Sequence, residues 1–134
     1  MGLFTGQRPE LGVQDGRLKP LPTSPNGVSS YASPDDKQHH IEPLPLLNSP
    51  EESLTHLVGL LEDRSDAEII EQTDRYIRVE FTTRWLGFVD DAEFLIDEPA
   101  GVVQLRSASR LGHSDLGVNR KRIESLREQW TKLA

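Results

Sequence analysis

Prolines crowd the first third of this chain and limit what that part can fold into. Seven of the nine prolines lie within residues 1–48, where serine and glycine are also frequent. Proline fixes φ and removes a backbone hydrogen-bond donor, so no helical or strand period survives this spacing. The sequence therefore predicts an extended proline- and glycine-rich arm over residues 1–48 and a folded α+β domain over residues 49–134.

Two interpretations of the arm stay open. A segment with so little regular pattern can be disordered. It can also lie extended over the folded domain, because apolar side chains that could anchor it recur along its length. These candidate anchors are Leu3, Phe4, Leu11, Val13, Leu18, Leu21, Val28, Tyr31, Ile41, Leu44, Leu46 and Leu47.

Charge and composition exclude several classes of function. The 134 residues carry a formal net charge of −7, which argues against general binding to nucleic acid or to anionic membranes. The chain has no cysteine, so disulfides, thiolate nucleophiles and cysteine-ligated zinc are excluded. No apolar run approaches the roughly 18 residues of a membrane span, and the N-terminus lacks the apolar stretch of a secretory signal. We expect a cytoplasmic protein, which could lie at the periphery of a membrane complex.

A helix start follows directly after the arm. Ser49, Pro50 and Glu52 match a capping box with proline at the first helical position. Apolar residues then recur at the spacing of one helical face, and they are Leu54, Leu57, Val58 and Leu61. Together these signals predict a helix of about 13 residues.

Alternating segments follow this helix and predict β-strands. In YIRVEFTTRW the apolar residues Ile77, Val79 and Phe81 alternate with polar ones. The segments FVDDAEFLID and VVQLRSASR continue the pattern after a turn near Leu86-Gly87, and AEIIEQ is a shorter candidate. Connections this short favour antiparallel pairing.

The chain closes with a second amphipathic helix. Asn119 is its predicted N-cap, and its apolar stripe consists of Ile123, Leu126, Trp130 and Leu133. The order of helix, strands and helix predicts a two-layer α+β domain. We expect an antiparallel sheet of three to five strands packed against the two helices.

The segment before the closing helix is cationic although the chain as a whole is acidic. Residues 106–122 contain five arginine or lysine residues against one carboxylate. Cations in the first turn of a helix oppose its dipole, so their counter-charge must come from inside the molecule or from a ligand. The candidates for binding an anion or an acidic partner are Arg106, Arg110, His113, Arg120, Lys121 and Arg122.

Three interpretations of these cations stay open. The bend at Gly112 and Gly117 can form an anion site beside the helix N-terminus. Alternatively, the arginines pair with carboxylates inside the fold, which is the interpretation we favour. The acids predicted for such structural ion pairs are Asp90, Asp91, Glu93 and Asp115. A solvated charged face is the third interpretation.

No pattern in the chain marks a reaction centre. Asp90 and Asp91 are adjacent on a strand, so their carboxylates point to opposite faces and suit neither a shared proton nor a metal. The pair His39-His40 lacks strict metal-ligand spacing. There is no nucleophile elbow and no nucleotide-binding glycine motif. We predict no catalytic residue, no metal site and no cofactor.

Four stretches of the chain resemble one protein family. They are LFTGQRPELGVQDGRLKPLPTSPNGVSS, HIEPLP, VEFTTRWLGFVDDAEFLID and VQLRSASRLGHSDLGVNRKRIE. They are similar to the DUF1499 family of bacteria, cyanobacteria and plastid-bearing eukaryotes, whose function is unknown. The resemblance implies that the arm belongs to the domain. Gly27 stands where the family pattern usually has cysteine, so the resemblance implies no thiol chemistry for this chain.

Two functional hypotheses follow from the charged segment and the arm. The first is a non-enzymatic binding or accessory protein, which docks onto an acidic partner or onto a larger photosynthetic or membrane complex. The second is a small-ligand binder or enzyme acting on an anionic metabolite, in a pocket where Arg78, Arg106, Arg110 and Asp90 converge. A purely structural role for all of these charges is the remaining alternative.

Overall fold

The computed structural model describes residues 6–84, 87–112 and 115–133. Its elements in chain order are β1 (Val13–Gln14), β2 (Arg17–Leu18), β3 (Gly27–Ser29), β4 (Leu44–Pro45), α1 (Pro50–Glu62), β5 (Ala67–Gln72), β6 (Tyr76–Thr82), β7 (Val89–Asp97), β8 (Val102–Ser109) and α2 (Val118–Leu133). The α+β class predicted from the sequence is confirmed.

Six antiparallel strands form the main sheet. Five follow the order β3-β8-β7-β6-β5, and β4 pairs with the other half of β8 along the same edge as β3. The sheet exceeds the expected three to five strands because β3 and β4 come from the proline-rich arm, where no strand period is visible. The strands β1 and β2 form a separate two-stranded sheet.

The start of α1 follows the local sequence signals. The Ser49 side chain accepts a hydrogen bond from the Glu52 amide at 3.1 Å, and Pro50 takes the first helical position. The buried Ser53 hydroxyl accepts from the Leu47 amide at 2.8 Å, which ties the end of the arm to the helix. The predicted helix is confirmed over 13 residues.

The two helices cover one face of the main sheet, called here the helix side. The side chains of Ile77, Val79 and Phe81 are fully buried there, together with Phe94 of β7. Trp130 of α2 is buried in the same core, and its indole N–H donates to the Pro45 carbonyl at 2.8 Å. The alternation in β6 therefore marks the core face correctly.

The arm covers the opposite face, called here the arm side. Leu18 of β2 packs with Tyr76 and Leu95 in a second apolar cluster. The Gly12 amide donates to a Glu93 carboxylate oxygen at 2.9 Å, and Arg78 donates to the Pro9 carbonyl at 2.8 Å. The polar face of these strands is therefore buried beneath the arm instead of facing solvent.

The strand β3 approaches β8 too closely for a side chain at Gly27. A Cβ atom there would lie 2.8 Å from the Ala108 Cβ and 2.9 Å from the Ser107 carbonyl oxygen. A Cβ atom within about 3 Å of these atoms would force one of the two strands to move. The absence of a side chain at position 27 thus allows the arm to pair closely with the sheet.

The helix α2 begins at Val118, so the prediction of Asn119 as its N-cap was wrong. Asp115 takes over capping, because its carboxylate accepts the amides of Gly117 at 2.9 Å and Asn119 at 3.1 Å. The predicted turn at Leu86-Gly87 lies partly outside the described residues, of which Gly87 has a φ of 72°. No helix in the described part of the chain combines the length and apolar character needed to cross a membrane.

Candidate functional site

The predicted cations lie on different faces of the main sheet. On the arm side, Arg106 and Arg110 lie beneath the N-terminal arm. On the helix side, Arg122 of α2 meets the sheet at Asp90. Because Asp90 lies on the opposite face from Arg78, Arg106 and Arg110, these four residues do not converge on one pocket as expected.

Arg110 binds two carboxylates at once. Its Nε donates to Asp91 at 2.8 Å, and its Nη2 donates to Asp91 at 2.9 Å and to Glu80 at 2.5 Å. Arg8 of the arm also donates to Glu80, at 2.5 Å. Burial alone would raise the pKa of Glu80, but the hydrogen bonds from Arg8 and Arg110 outweigh it and hold that pKa below its ordinary value. The Glu80 carboxylate therefore stays ionised at neutral pH although it lies beneath the arm.

Arg106 is buried, and its hydrogen bonds go to the arm backbone. It donates to the carbonyls of Lys19 at 3.1 Å and Pro20 at 3.3 Å. Burial lowers the pKa of Arg106, while the nearby carboxylates of Glu93 and Asp91 oppose that shift. This side chain holds the arm in place and offers little surface to a ligand.

Glu93 is the least solvated carboxylate in the described part of the chain. Its Oε2 accepts from the Tyr76 hydroxyl at 2.5 Å, and its side chain is fully buried. Burial, and then the contact with Glu93, raise the pKa of Tyr76 well above its ordinary value. Among the described residues, the Oε1 atom of Glu93 has no hydrogen-bond partner.

On the helix side, Arg122 forms a second buried ion pair. Its Nη1 donates to Asp90 at 2.7 Å, and the guanidinium lies 4.6 Å from the centre of the Phe81 ring. Both charged side chains are at most 7% exposed. The pair therefore contributes to the core of the domain.

The remaining cations of the segment lie nearer the surface. Arg120 donates to the carbonyls of Lys37 at 3.2 Å and His40 at 2.7 Å, so it binds the arm. Lys121 is exposed. His113 lies outside the described residues.

Among the described residues, Asp115 caps α2 and pairs with no cation, although an ion pair was expected from the sequence. Its carboxylate accepts from the Asn119 side chain at 2.8 Å besides the two backbone amides. Asn119 in turn accepts from the Ser107 hydroxyl at 2.5 Å and donates to the Asn26 carbonyl at 3.2 Å. This buried amide joins the arm, β8 and α2.

The described residues of the charged segment (residues 106–122) and of the arm thus form one hydrogen-bonded unit. Both belong to the stretches that carry the family resemblance. The family model described as "Protein of unknown function (DUF1499)" matches residues 17–130. The chain belongs to the DUF1499 family. No curated protein and no solved structure matches it.

The two adjacent histidines of this DUF1499 chain are hydrogen-bonded to oxygen acceptors. His39 contacts the Asp36 carboxylate at 2.8 Å and the Ser24 carbonyl at 3.0 Å, while His40 contacts the Ala32 carbonyl at 2.8 Å and Glu42 at 3.1 Å. Only an imidazolium can donate from both ring nitrogens. These acceptors raise the pKa of each histidine, led by the Ser24 carbonyl for His39 and by Glu42 for His40.

No metal site is found in the described residues, where no three histidine, aspartate or glutamate side chains cluster suitably. A cavity of about 510 Å³ lies within the arm, and we call it the arm cavity. Its lining includes Arg17, Leu18, Pro20, Tyr31, Asp36 and His39.

The sequence did not reveal that Tyr76, Glu80 and Asn119 belong to the hydrogen-bonded unit of this DUF1499 protein. The period of β6 places Tyr76 and Glu80 on the face that also carries Arg78, which was the available signal. Nothing local showed that the arm would bury this face. Asn119 was recognised as a polar residue at a helix start, but its partners lie as far as 93 positions away.

Proposed function

We propose that this DUF1499 protein is a non-enzymatic binding or accessory protein that docks onto an acidic protein partner through the loop between β8 and α2. The observation that carries this proposal is a patch of exposed apolar side chains on that loop and at the first residue of α2. Leu111 is 41% exposed, Leu116 86% and Val118 39%. We call these three residues the loop patch.

The backbone holds the most exposed of these side chains in an unfavourable conformation. Leu116 has a φ of 55°, in the left-handed region that residues with a Cβ rarely adopt. Such strain persists where the surrounding contacts enforce it, and it is common at binding sites. Here Asp115 and Asn119 bracket Leu116 and fix the start of α2 through the bonds described above.

The charges around the loop patch favour an acidic partner. Lys121 is exposed and follows Val118 by three positions, so the two are neighbours on the surface of α2. The acids that border the same region are already engaged, Asp90 with Arg122 and Asp115 with backbone amides. A partner with apolar side chains flanked by carboxylates would complement this surface.

In this proposal the buried arginines give the loop its shape and do not touch the partner. The side chains of Arg110 and Arg122 are each no more than 7% exposed; Arg110 holds the start of the loop to β7, and Arg122 holds the first turns of α2 to the same strand. A subunit of a larger photosynthetic or membrane complex remains the kind of partner we propose. That part of the proposal comes from where the family occurs.

The proposal is tested with a photo-crosslinking residue placed at position 116 and, as a control, at position 13. Val13 is also an exposed apolar residue, at 42%, but it lies on β1. We expect crosslinks to a defined acidic protein from position 116 only. The captured protein is then purified for binding measurements.

Binding of that purified protein is compared for Leu116→Asp, Lys121→Gln and the control Val13→Asp. We expect Leu116→Asp to weaken binding by at least about tenfold and Lys121→Gln by less, because an exposed charge contributes little. Val13→Asp should bind as the wild type does. Equal binding by Leu116→Asp and the wild type would refute the docking role of the loop patch.

A further inference from the structure

The arm cavity is a second site, separate from the loop patch. Its volume of about 510 Å³ lies in the range of pockets that hold small molecules. The walls come from β2, from the turn at residues 20–23 and from residues 29–39, all of them parts of the arm. The cavity is therefore not a packing defect of the core, which would lie between the helices and the main sheet.

The walls of the arm cavity are held in place from several directions. Arg106 fixes one wall through the carbonyls of Lys19 and Pro20. The lining residues Ser29 and His39 are held by the pairing of Ser29 with Arg106 in β8 and by the hydrogen bond from the Ser29 amide to the His39 carbonyl at 2.8 Å. An irregular segment with this many long-range bonds is preorganised, which lowers the cost of binding a ligand.

Arg17 is the one charged group at the arm cavity whose counter-ion is missing from the described residues. Its guanidinium lies 4.2 Å from the centre of the Tyr31 ring, and no described carboxylate is within ion-pair distance. Stacking on an aromatic face leaves the N–H groups in the guanidinium plane available. Asp36, the acid of this cavity, is engaged by His39 at 2.8 Å.

The rest of the lining is mostly apolar. Leu18, Pro20, Leu21, Pro22 and Ala32 line the cavity, together with the polar residues Thr23 and Ser29. A fully hydrated ion such as inorganic phosphate would gain nothing from such walls, whereas an apolar body would lose its hydration there favourably. The lining therefore complements a molecule with one anionic end.

We propose that the arm cavity binds a small organic anion with an apolar body, whose carboxylate pairs with Arg17 while its body lies against Tyr31 and the proline wall. Arg17 and Tyr31 select the ligand, and Arg106 positions the wall from beneath. The site differs from the arginine cluster on the arm side of the sheet, whose guanidinium groups are buried against carboxylates and backbone carbonyls.

The test titrates the full-length protein with 4-fluorobenzoate, observed by fluorine NMR. The neutral analogue 4-fluorobenzamide is titrated in parallel, and inorganic phosphate, which carries no fluorine, is added as a competitor of the bound benzoate. We expect saturable binding of the benzoate, and binding at least about tenfold weaker for the amide and for phosphate. Absence of benzoate binding, or binding of the amide or of phosphate as tight as that of the benzoate, would overturn the proposal.

The variant Arg17→Gln locates the binding, with Lys132→Gln as the control because it removes one exposed charge at the far end of α2. Arg17 is itself exposed, so its replacement leaves the fold intact, which circular dichroism checks. We expect Arg17→Gln to weaken benzoate binding at least about tenfold and Lys132→Gln to leave it unchanged. Equal binding by both variants would show that the benzoate lies elsewhere.

Discussion

The two faces of the main sheet are both buried, but by different parts of the chain and through different chemistry. On the helix side, fully buried apolar residues such as Ile77 and Phe81 pack against α1 and α2. On the arm side, Arg78 and Glu80 from the same strand lie beneath a segment with hardly any regular structure. The first face is held together mainly by packing, and the second by ion pairs and hydrogen bonds to backbone.

This difference shows that strand alternation reports polarity and not exposure. Alternating polar residues normally mark the solvent face of an antiparallel sheet. Here the polar face is covered because the arginines find carboxylates across the strands and carbonyls in the arm. A charged face can be buried only when its groups are paired in this way.

The largest expected effects come from truncating one buried side chain on each face. Phe81→Ala should cost about 3–5 kcal/mol of unfolding free energy through lost packing on the helix side. Arg110→Ala should cost a similar amount, about 3–5 kcal/mol, because Asp91 and Glu80 lose their shared counter-ion. Urea denaturation measures both.

Measurements at acid pH distinguish the losses of unfolding free energy in these two variants. The pKa of Glu80 is held low in the folded protein, so its contribution is present at neutral pH and disappears as the pH falls through that pKa. The deficit of Arg110→Ala should therefore shrink at acid pH, whereas that of Phe81→Ala should not. Equal deficits for Arg110→Ala at neutral and acid pH would contradict the ionic account of the arm side.

A smaller effect is expected where the arm joins the sheet edge. Gly27→Cys adds a side chain whose Cβ would lie 2.8 Å from the Ala108 Cβ. We expect a loss of about 1–3 kcal/mol from overpacking. The second change Ala108→Gly removes the clashing atom and should recover part of the loss, despite the cost of glycine in a strand. A double-mutant cycle by urea denaturation without such coupling would argue against the close contact.

The smallest expected effect is a pH dependence of the arm. The pKa values of His39 and His40 are raised in the folded state, so the stability they contribute is complete below the ordinary histidine pKa of 6.5 and is lost as the pH rises through the folded values. Asp36, Glu42 and the opposing charge of Arg120 face these rings.

Urea denaturation at increasing pH above about 6 tests this contribution. The variant His39→Gln/His40→Gln should lose the decline in stability that the wild type shows, while His56→Gln on α1 should keep it. An identical pH profile for the wild type and the double variant would show that the histidines do not hold the arm.

The sequence predicted the helix side better than the arm side. The capping box at Ser49 and the apolar period of β6 act over a few residues, and both α1 and the core face appeared where expected. The resemblance also implied correctly that the chain belongs to a family without a known function. The partners of Arg106, in contrast, lie 86 and 87 positions away in the arm.

By itself, the sequence determined the α+β class, the start of the first helix and the opposite orientations of Asp90 and Asp91. These depend on helical and strand periods and on capping, which are set by residues close together in the chain. Only the tertiary structure decided that β3 and β4 join the sheet, that Asp115 caps α2 and that Arg110 serves two carboxylates. The physical reason is that such pairings join residues far apart in the chain, and the energy of a buried charge depends on which groups the fold brings around it.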